Sequence, residues 1–165
     1  MPINIPDGLP AKKTLHEERI FALEEEVAER QEIRPLRLAI LNLMPKKIQT
    51  ETQILRLISK SPIQVTCDFM RISSHESKNT AADHLVTFYS TFDDFKDKNY
   101  DGLIVTGAPI EDLKYEDVDY WDEFCRIVYW SQEHVFSTMY LCWGALAGLY
   151  YLHDIPKKML GAKLF

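Results

Sequence analysis

Apolar and polar positions change period several times along the chain. Residues 36–43, Leu-Arg-Leu-Ala-Ile-Leu-Asn-Leu, form a short and nearly continuous apolar run, which predicts a buried strand. After Pro45 the spacing turns helical, with Ile54, Leu55, Leu57 and Ile58 as the apolar positions. Residues 63–72 alternate and predict a second strand. Residues 73–82 read as a polar loop, followed by a helical stretch through Phe95. Gly102-Leu103-Ile104-Val105 is a third, fully buried strand that ends in Thr106-Gly107-Ala108-Pro109. Residues 120–134 predict a helix with Trp121, Phe124, Cys125, Ile127 and Val128 toward one side. Residues 136–141 are a fourth strand, and residues 144–152 are small and apolar with helical spacing. At the start, residues 1–10 hold three prolines and read as an extended arm. Residues 11–32 read either as a charged helix or, at Ile20-Phe21-Ala22-Leu23, as a short strand.

Strands alternating with helices imply βαβ units, hence a parallel sheet covered on both faces. The expected fold is α/β, with residues 1–35 as an N-terminal arm plus the ambiguous element and residues 36–165 as the α/β domain. Ligands of such sheets bind beyond the carboxyl ends of the strands. Topology therefore brings residues 42–47, 106–111 and 142–144 to one rim.

Cys142 stands out on that rim. It lies where a β-type run gives way to a helical one, in Met139-Tyr140-Leu141-Cys142-Trp143-Gly144-Ala145. A nucleophile on a sharp strand-to-helix turn is pushed out above the sheet edge, beside the N–H groups of the first helical turn. Those groups and the helix dipole favour the thiolate, the reactive form. The N–H of Trp143 is the natural first oxyanion donor. A second comes from the Gly107-Ala108-Pro109 turn, at Ala108. Lys46 and Lys47 sit at a helix start, where positive charge opposes the dipole. They are auxiliary candidates, for substrate phosphates or for the potential around the thiolate. A thiol nucleophile needs a histidine base oriented by a carboxylate. His16, His75, His84, His134 and His153 all fall before or at the far ends of the Cys142 unit, so each reads as a surface or structural histidine. Lys163-Leu164-Phe165 looks like the start of a further strand, so the chain stops before its base.

Composition narrows the classes. The 165 residues are 46% hydrophobic and 27% charged, ordinary for a globular domain with a real core. A net charge of -6 and the lack of a basic stripe argue against nucleic acid as a partner. No apolar run is long enough to span a bilayer. Cys67, Cys125 and Cys142 are an odd count without a close pair, which fits a reducing cytoplasm. No Cys/His spacing suggests a metal site.

At these residues the sequence resembles the homoserine O-acyltransferases of the succinyltransferase-like family. The matching stretches are Ile33-Arg34-Pro35-Leu36, Leu41-Asn42-Leu43-Met44-Pro45-Lys46-Lys47, Tyr100-Asp101-Gly102-Leu103-Ile104-Val105-Thr106-Gly107-Ala108-Pro109 and Leu141-Cys142-Trp143. Arg71-Ile72 and Ser77-Lys78-Asn79-Thr80 are also similar. The resemblance implies a three-layer, class I glutamine amidotransferase-like (flavodoxin-like) parallel sheet with helices on both faces. It implies that Cys142 is acylated by an acyl-CoA and that Lys163 binds the amino-acid substrate. It also implies that the catalytic His and Glu lie beyond Phe165, so that the chain is an N-terminal part. No cofactor is implied; acetyl-CoA and L-homoserine are the substrates, and a homodimer is one assembly open to such a protein.

In that family the residue after Thr-Gly-Ala-Pro-Ile goes with acyl choice, Gly with succinyl-CoA and Glu with acetyl-CoA. Here it is Glu111. A succinyl group carries a distal carboxylate that a nearby glutamate repels. Two like charges about 4 Å apart at an effective dielectric near 20 cost on the order of 4 kcal/mol. The expected activity is therefore homoserine O-acetyltransferase, in the methionine-biosynthesis route. The alternatives are a succinyl donor, a serine acceptor, an amidotransferase-like cysteine hydrolase, or a non-catalytic binding module.

Overall fold

The strongest apolar runs of the sequence become the centre of a parallel sheet. The computed structural model describes residues 3–28, 34–74, 80–158, 160 and 161. Its strands are β1 (Ile3–Ile5), β2 (Ala22–Glu24), β3 (Leu36–Leu41), β4 (Val65–Met70), β5 (Tyr89–Ser90), β6 (Tyr100–Val105) and β7 (Val135–Tyr140). Its helices are α1 (Ala11–Glu17), α2 (Glu25–Ala28), α3 (Lys47–Ile58), α4 (Ala82–Phe88), α5 (Trp121–His134) and α6 (Trp143–His153). The sheet runs β2-β1-β4-β3-β6-β7, with β5 added to β4, and every pair is parallel. This is the flavodoxin-like, amidotransferase-like α/β arrangement that the sequence predicts.

The period of two along each strand divides the core. Ala39, Leu41, Met70, Leu103 and Val105 face one side and pack with Phe124, Ile127 and Val128 of α5 and Trp143 and Ala147 of α6. Ile40, Val65, Cys67 and Phe69 face the other, with Leu15 of α1 and Ile54 and Leu55 of α3. Central strands buried on both faces need continuous apolar runs, which explains why β3 and β6 are legible in the sequence.

Four readings change. Residues 1–10 are more than an arm, since Ile3 and Ile5 are buried and β1 pairs with both β2 and β4. Of residues 11–32, the described 11–28 hold both helix and strand, α1, then β2, then the short α2. The helix expected through Phe95 stops at Phe88, because Tyr89 turns inward to pair with Phe69 as β5. Leu57, one of the apolar positions that predict α3, is 69% exposed. No described helix is long and apolar enough to cross a membrane, and no cluster able to hold a metal ion occurs among the described residues.

The chain leaves β3 for β4 through α3 on one face and leaves β6 for β7 through α5 on the other. The loops after the neighbouring strands β3 and β6 therefore diverge. That is a topological switch point, where open parallel sheets hold their ligands.

Candidate active site

Cys142 joins β7 to α6 at φ 51° and ψ -122°. Positive φ is costly for a residue with a side chain and persists only where the surroundings enforce it. Two kinds of bond do so here. The Leu141 N–H donates to the Val105 carbonyl at 2.9 Å, and the Ala145 and Leu146 N–H groups donate to the Cys142 carbonyl at 3.0 and 3.2 Å. The side chain is exposed. A Cβ at Gly144 would meet the Thr106 carbonyl oxygen at 2.6 Å, so the start of α6 is pressed onto the end of β6. A Cβ at Gly107 would come within 2.9 Å of Cys142 Cβ and 3.3 Å of its Sγ. The thiol thus lies against the turn that follows β6.

The loops after β3 and β6 are tied together. Thr106 donates its N–H to the Leu41 carbonyl at 3.0 Å, and its hydroxyl accepts from the Leu43 N–H at 2.8 Å. Asn42, fully buried, accepts from the Met44 N–H at 3.2 Å and donates to the Tyr89 hydroxyl at 2.7 Å. Tyr89 donates to Glu51 at 2.6 Å, and Glu51 also bonds His84 Nε2 at 3.0 Å. Burial, reinforced by the Glu51 charge, pushes the Tyr89 hydroxyl far above its ordinary pKa. Tyr89 therefore stays a neutral donor within this network.

Lys46 and Lys47 part company. Lys46 is exposed at the start of α3. Lys47 is 8% exposed, and its ammonium donates to the carbonyls of Asn42 at 2.5 Å and Met44 at 3.4 Å. Burial lowers its pKa to about 8; Glu51 opposes the drop and Arg71 adds to it. Trp143 is buried, and its N–H is among the helix-terminal donors that lack an intrahelical acceptor. Ala108 is buried beside Gly107, with its carbonyl accepting from the Ile110 N–H at 2.9 Å. Glu111 is exposed, and its carbonyl accepts from Lys157 Nζ at 2.6 Å. Lys157 also bonds the Leu113 carbonyl and lies 4.8 Å above the Tyr115 ring, which anchors the 111–113 loop.

Lys163 and His75 lie outside the described residues. Of the other histidines, His84 is held by Glu51, His134 stacks on Trp130, and His16 and His153 are exposed. The residues 42–47, 106–111 and 142–144 do meet at one rim, through the contacts above. Sequence reasoning missed Glu51, His84 and Tyr89 as supports of that rim. One signal was available, because Glu51 follows Lys47 by four residues and so shares its helix face.

Between the ends of β3 and β6 lies a pocket of about 370 Å³. Leu43, Met44 and Ile72 give it an apolar wall, Ala108, Pro109 and Ile110 form the wall toward the thiol, Lys47 and Arg71 supply positive charge, and Asp117 and Asp119 supply negative charge. A partly apolar cavity with a few fixed polar groups is the usual form of a small-molecule site. Beside it stand an exposed thiol and two candidate backbone donors, a set suited to acyl transfer.

A homoserine O-acetyltransferase of Bifidobacterium adolescentis is 64% identical over 165 residues, covering 100% of this chain and 48% of that protein. Homoserine O-acetyltransferases of Clostridium acetobutylicum and Methanomassiliicoccus intestinalis are 57% and 56% identical, with 55% and 54% of their own lengths covered. The chain thus spans about half the length of the curated relatives it matches. Residues 2–165 match the family described as HTS: Homoserine O-succinyltransferase, and the chain belongs to that family.

Proposed function

We propose that this protein is a homoserine O-acetyltransferase in which Cys142 carries the acetyl group. The Cys142 thiolate adds to the carbonyl carbon of acetyl-CoA. The N–H groups of Trp143 and Ala108 hold the oxyanion, and the bond to the CoA sulfur breaks as CoA leaves. The homoserine hydroxyl then gives its proton to a histidine base and attacks the acetyl-thioester carbon. Cys142 leaves as thiolate, and O-acetylhomoserine is released. Lys163 binds the amino acid, and Glu111 disfavours a succinyl group. The relatives are about twice as long as this chain, and the base is expected in that further length. The reaction needs no cofactor beyond acetyl-CoA as a substrate. It belongs in the cytoplasm, where the free cysteines of this chain stay reduced.

One observation carries the reading, an exposed thiol held at positive φ against Gly107 beside the switch-point pocket. The names of the relatives support it. Mass spectrometry after acetyl-CoA treatment should find one acetyl group on Cys142, and Cys142→Ser should lose it. Unimpaired turnover by the serine variant would refute the assignment. An acyl-CoA panel separates acetyl from succinyl, the donor in the family description. Glu111→Gly should raise the succinyl-to-acetyl rate ratio by about tenfold, the equivalent of 1.4 kcal/mol. An unchanged ratio would remove Glu111 from its role.

A further inference from the structure

The switch-point pocket is lined by two cations, Lys47 and Arg71, and by two acids, Asp117 and Asp119, and the cations are satisfied in different ways. The Lys47 ammonium is capped by the Asn42 and Met44 carbonyls. Arg71, the residue after β4, lines the same pocket, yet its Nε is buried and has no hydrogen-bond partner among the described residues. A buried donor of a charged group without an acceptor is unfavourable, and native proteins rarely keep one without use. Nor is Arg71 a loose surface residue. Its N–H donates to the Ser90 carbonyl at 3.0 Å. The next loop is clamped by the Glu123 carboxylate of α5, which accepts from the Ser73 N–H at 2.9 Å and the Ser74 N–H at 3.0 Å. Arg71 thus lines, from a fixed backbone, a cavity whose Ala108–Ile110 wall follows directly on Gly107, the residue that rests against the thiol. Much of the lining is apolar, which strengthens any charge pairing there.

We propose that Arg71, backed by the Lys47 charge, is the receptor for an oxyanion of the substrate, a carboxylate or a phosphate, in this pocket. The planar guanidinium fork pairs with two oxygens of either group. Under the acyl-transfer reading, on which this rests, two sources offer such a group: the α-carboxylate of the amino-acid acceptor and the phosphates of the CoA thioester.

The test is calorimetric titration of the parent, Arg71→Gln and Arg71→Lys with four ligands. Homoserine is set against homoserine lactone, which has no free carboxylate. Acetyl-CoA is set against S-acetylpantetheine, which lacks the nucleotide phosphates. Arg71→Gln should weaken one anion-bearing ligand by about tenfold or more and leave the counterpart that lacks the anionic group unchanged, with Arg71→Lys between parent and Gln. Loss confined to homoserine identifies the carboxylate; loss confined to acetyl-CoA identifies the phosphates. Affinities within about twofold of the parent for both anion-bearing ligands overturn the proposal, as does equal weakening of the ligands with and without the anionic group. If Arg71→Gln does not fold, Arg71→Lys decides by the same comparison, since it keeps the charge and loses the fork. Inorganic phosphate is titrated separately in thermal melts, and should stabilise the parent more than either variant. That arm stands even if Cys142 takes up no acetyl group, an outcome that would sink the acyl-transfer reading alone. A parent that binds none of the charged ligands and gains nothing from phosphate refutes the oxyanion site.

Discussion

At the scale of single residues, the thiol and the buried lysine can each be tested by one substitution. Gly107 touches Cys142 so closely that an alanine methyl would fall 2.9 Å from Cys142 Cβ. Gly107→Ala should slow alkylation of Cys142 by iodoacetamide by about tenfold, equivalent to 1.4 kcal/mol on the barrier, with the fold retained. An unchanged rate would mean that the thiol does not rest on this turn. Lys47 has a folded pKa of about 8 against an ordinary 10.5. Between those values the unfolded chain binds more protons than the folded one, so stability rises with pH there. Below pH 8 the burial cost of the charge is carried in full. Stability of the parent relative to Lys47→Met should therefore climb by on the order of 3 kcal/mol between pH 8 and 10.5. Parallel stability curves for the two proteins would refute the buried charge. The burial of Lys47 was not legible in the sequence. A lysine at a helix start is normally solvated, and the two carbonyls that receive this one come from the shape of the 42–44 loop.

At the scale of elements, α6 must lie close to the sheet if Cys142 is to stand at its turn. Gly144 and Gly148 both face it, but against different neighbours. A methyl at Gly144 meets the Thr106 carbonyl oxygen at 2.6 Å and the Val105 carbonyl oxygen at 3.2 Å, backbone that cannot swing aside. A methyl at Gly148 meets the Tyr140 ring at 3.1 Å, and a ring at a partly exposed strand end can turn. Gly144→Ala should cost about 1–3 kcal/mol in urea unfolding and lower the reactivity of Cys142 as well. Gly148→Ala should be near neutral, since its strain is offset by up to about 1 kcal/mol of helix propensity. Equal losses at both positions would mean that α6 is not seated as described. The small residues of α6 were legible as a close-packing signal. The short strands were not. Ile3 pairs with Val65 and Tyr89 with Phe69, so β1 and β5 exist because a longer strand already offers its edge.

At the scale of the whole molecule, the sheet is covered unevenly. β2 and β7 end the strand order among the described residues. On β7, Phe136 is 93% exposed and Met139 58%, and Leu146 and Leu149 of the neighbouring α6 are 40% and 42% exposed. The sequence pattern predicted β7 correctly as a strand, and a parallel sheet covered on both faces would have buried these side chains. Phe136→Lys should change unfolding stability by less than about 0.5 kcal/mol and raise the solubility of the 165-residue chain. A loss of more than about 2 kcal/mol would show that something covers this face.

The sequence by itself determined the α/β class, the strands β3, β4, β6 and β7, and the turn that carries Cys142. It could do so because period and run length are local properties, and because a strand-to-helix switch leaves its mark in consecutive residues. Only the tertiary structure decided that Lys47 is buried while Lys46 is free, and that Glu51, His84 and Tyr89 brace the rim from other elements. It alone placed Arg71 and the loop before Lys47 on walls of one pocket. The bracing bonds join Glu51 to residues 33 and 38 positions away, and they depend on which strands neighbour each other and on which face each helix returns, which no local pattern encodes.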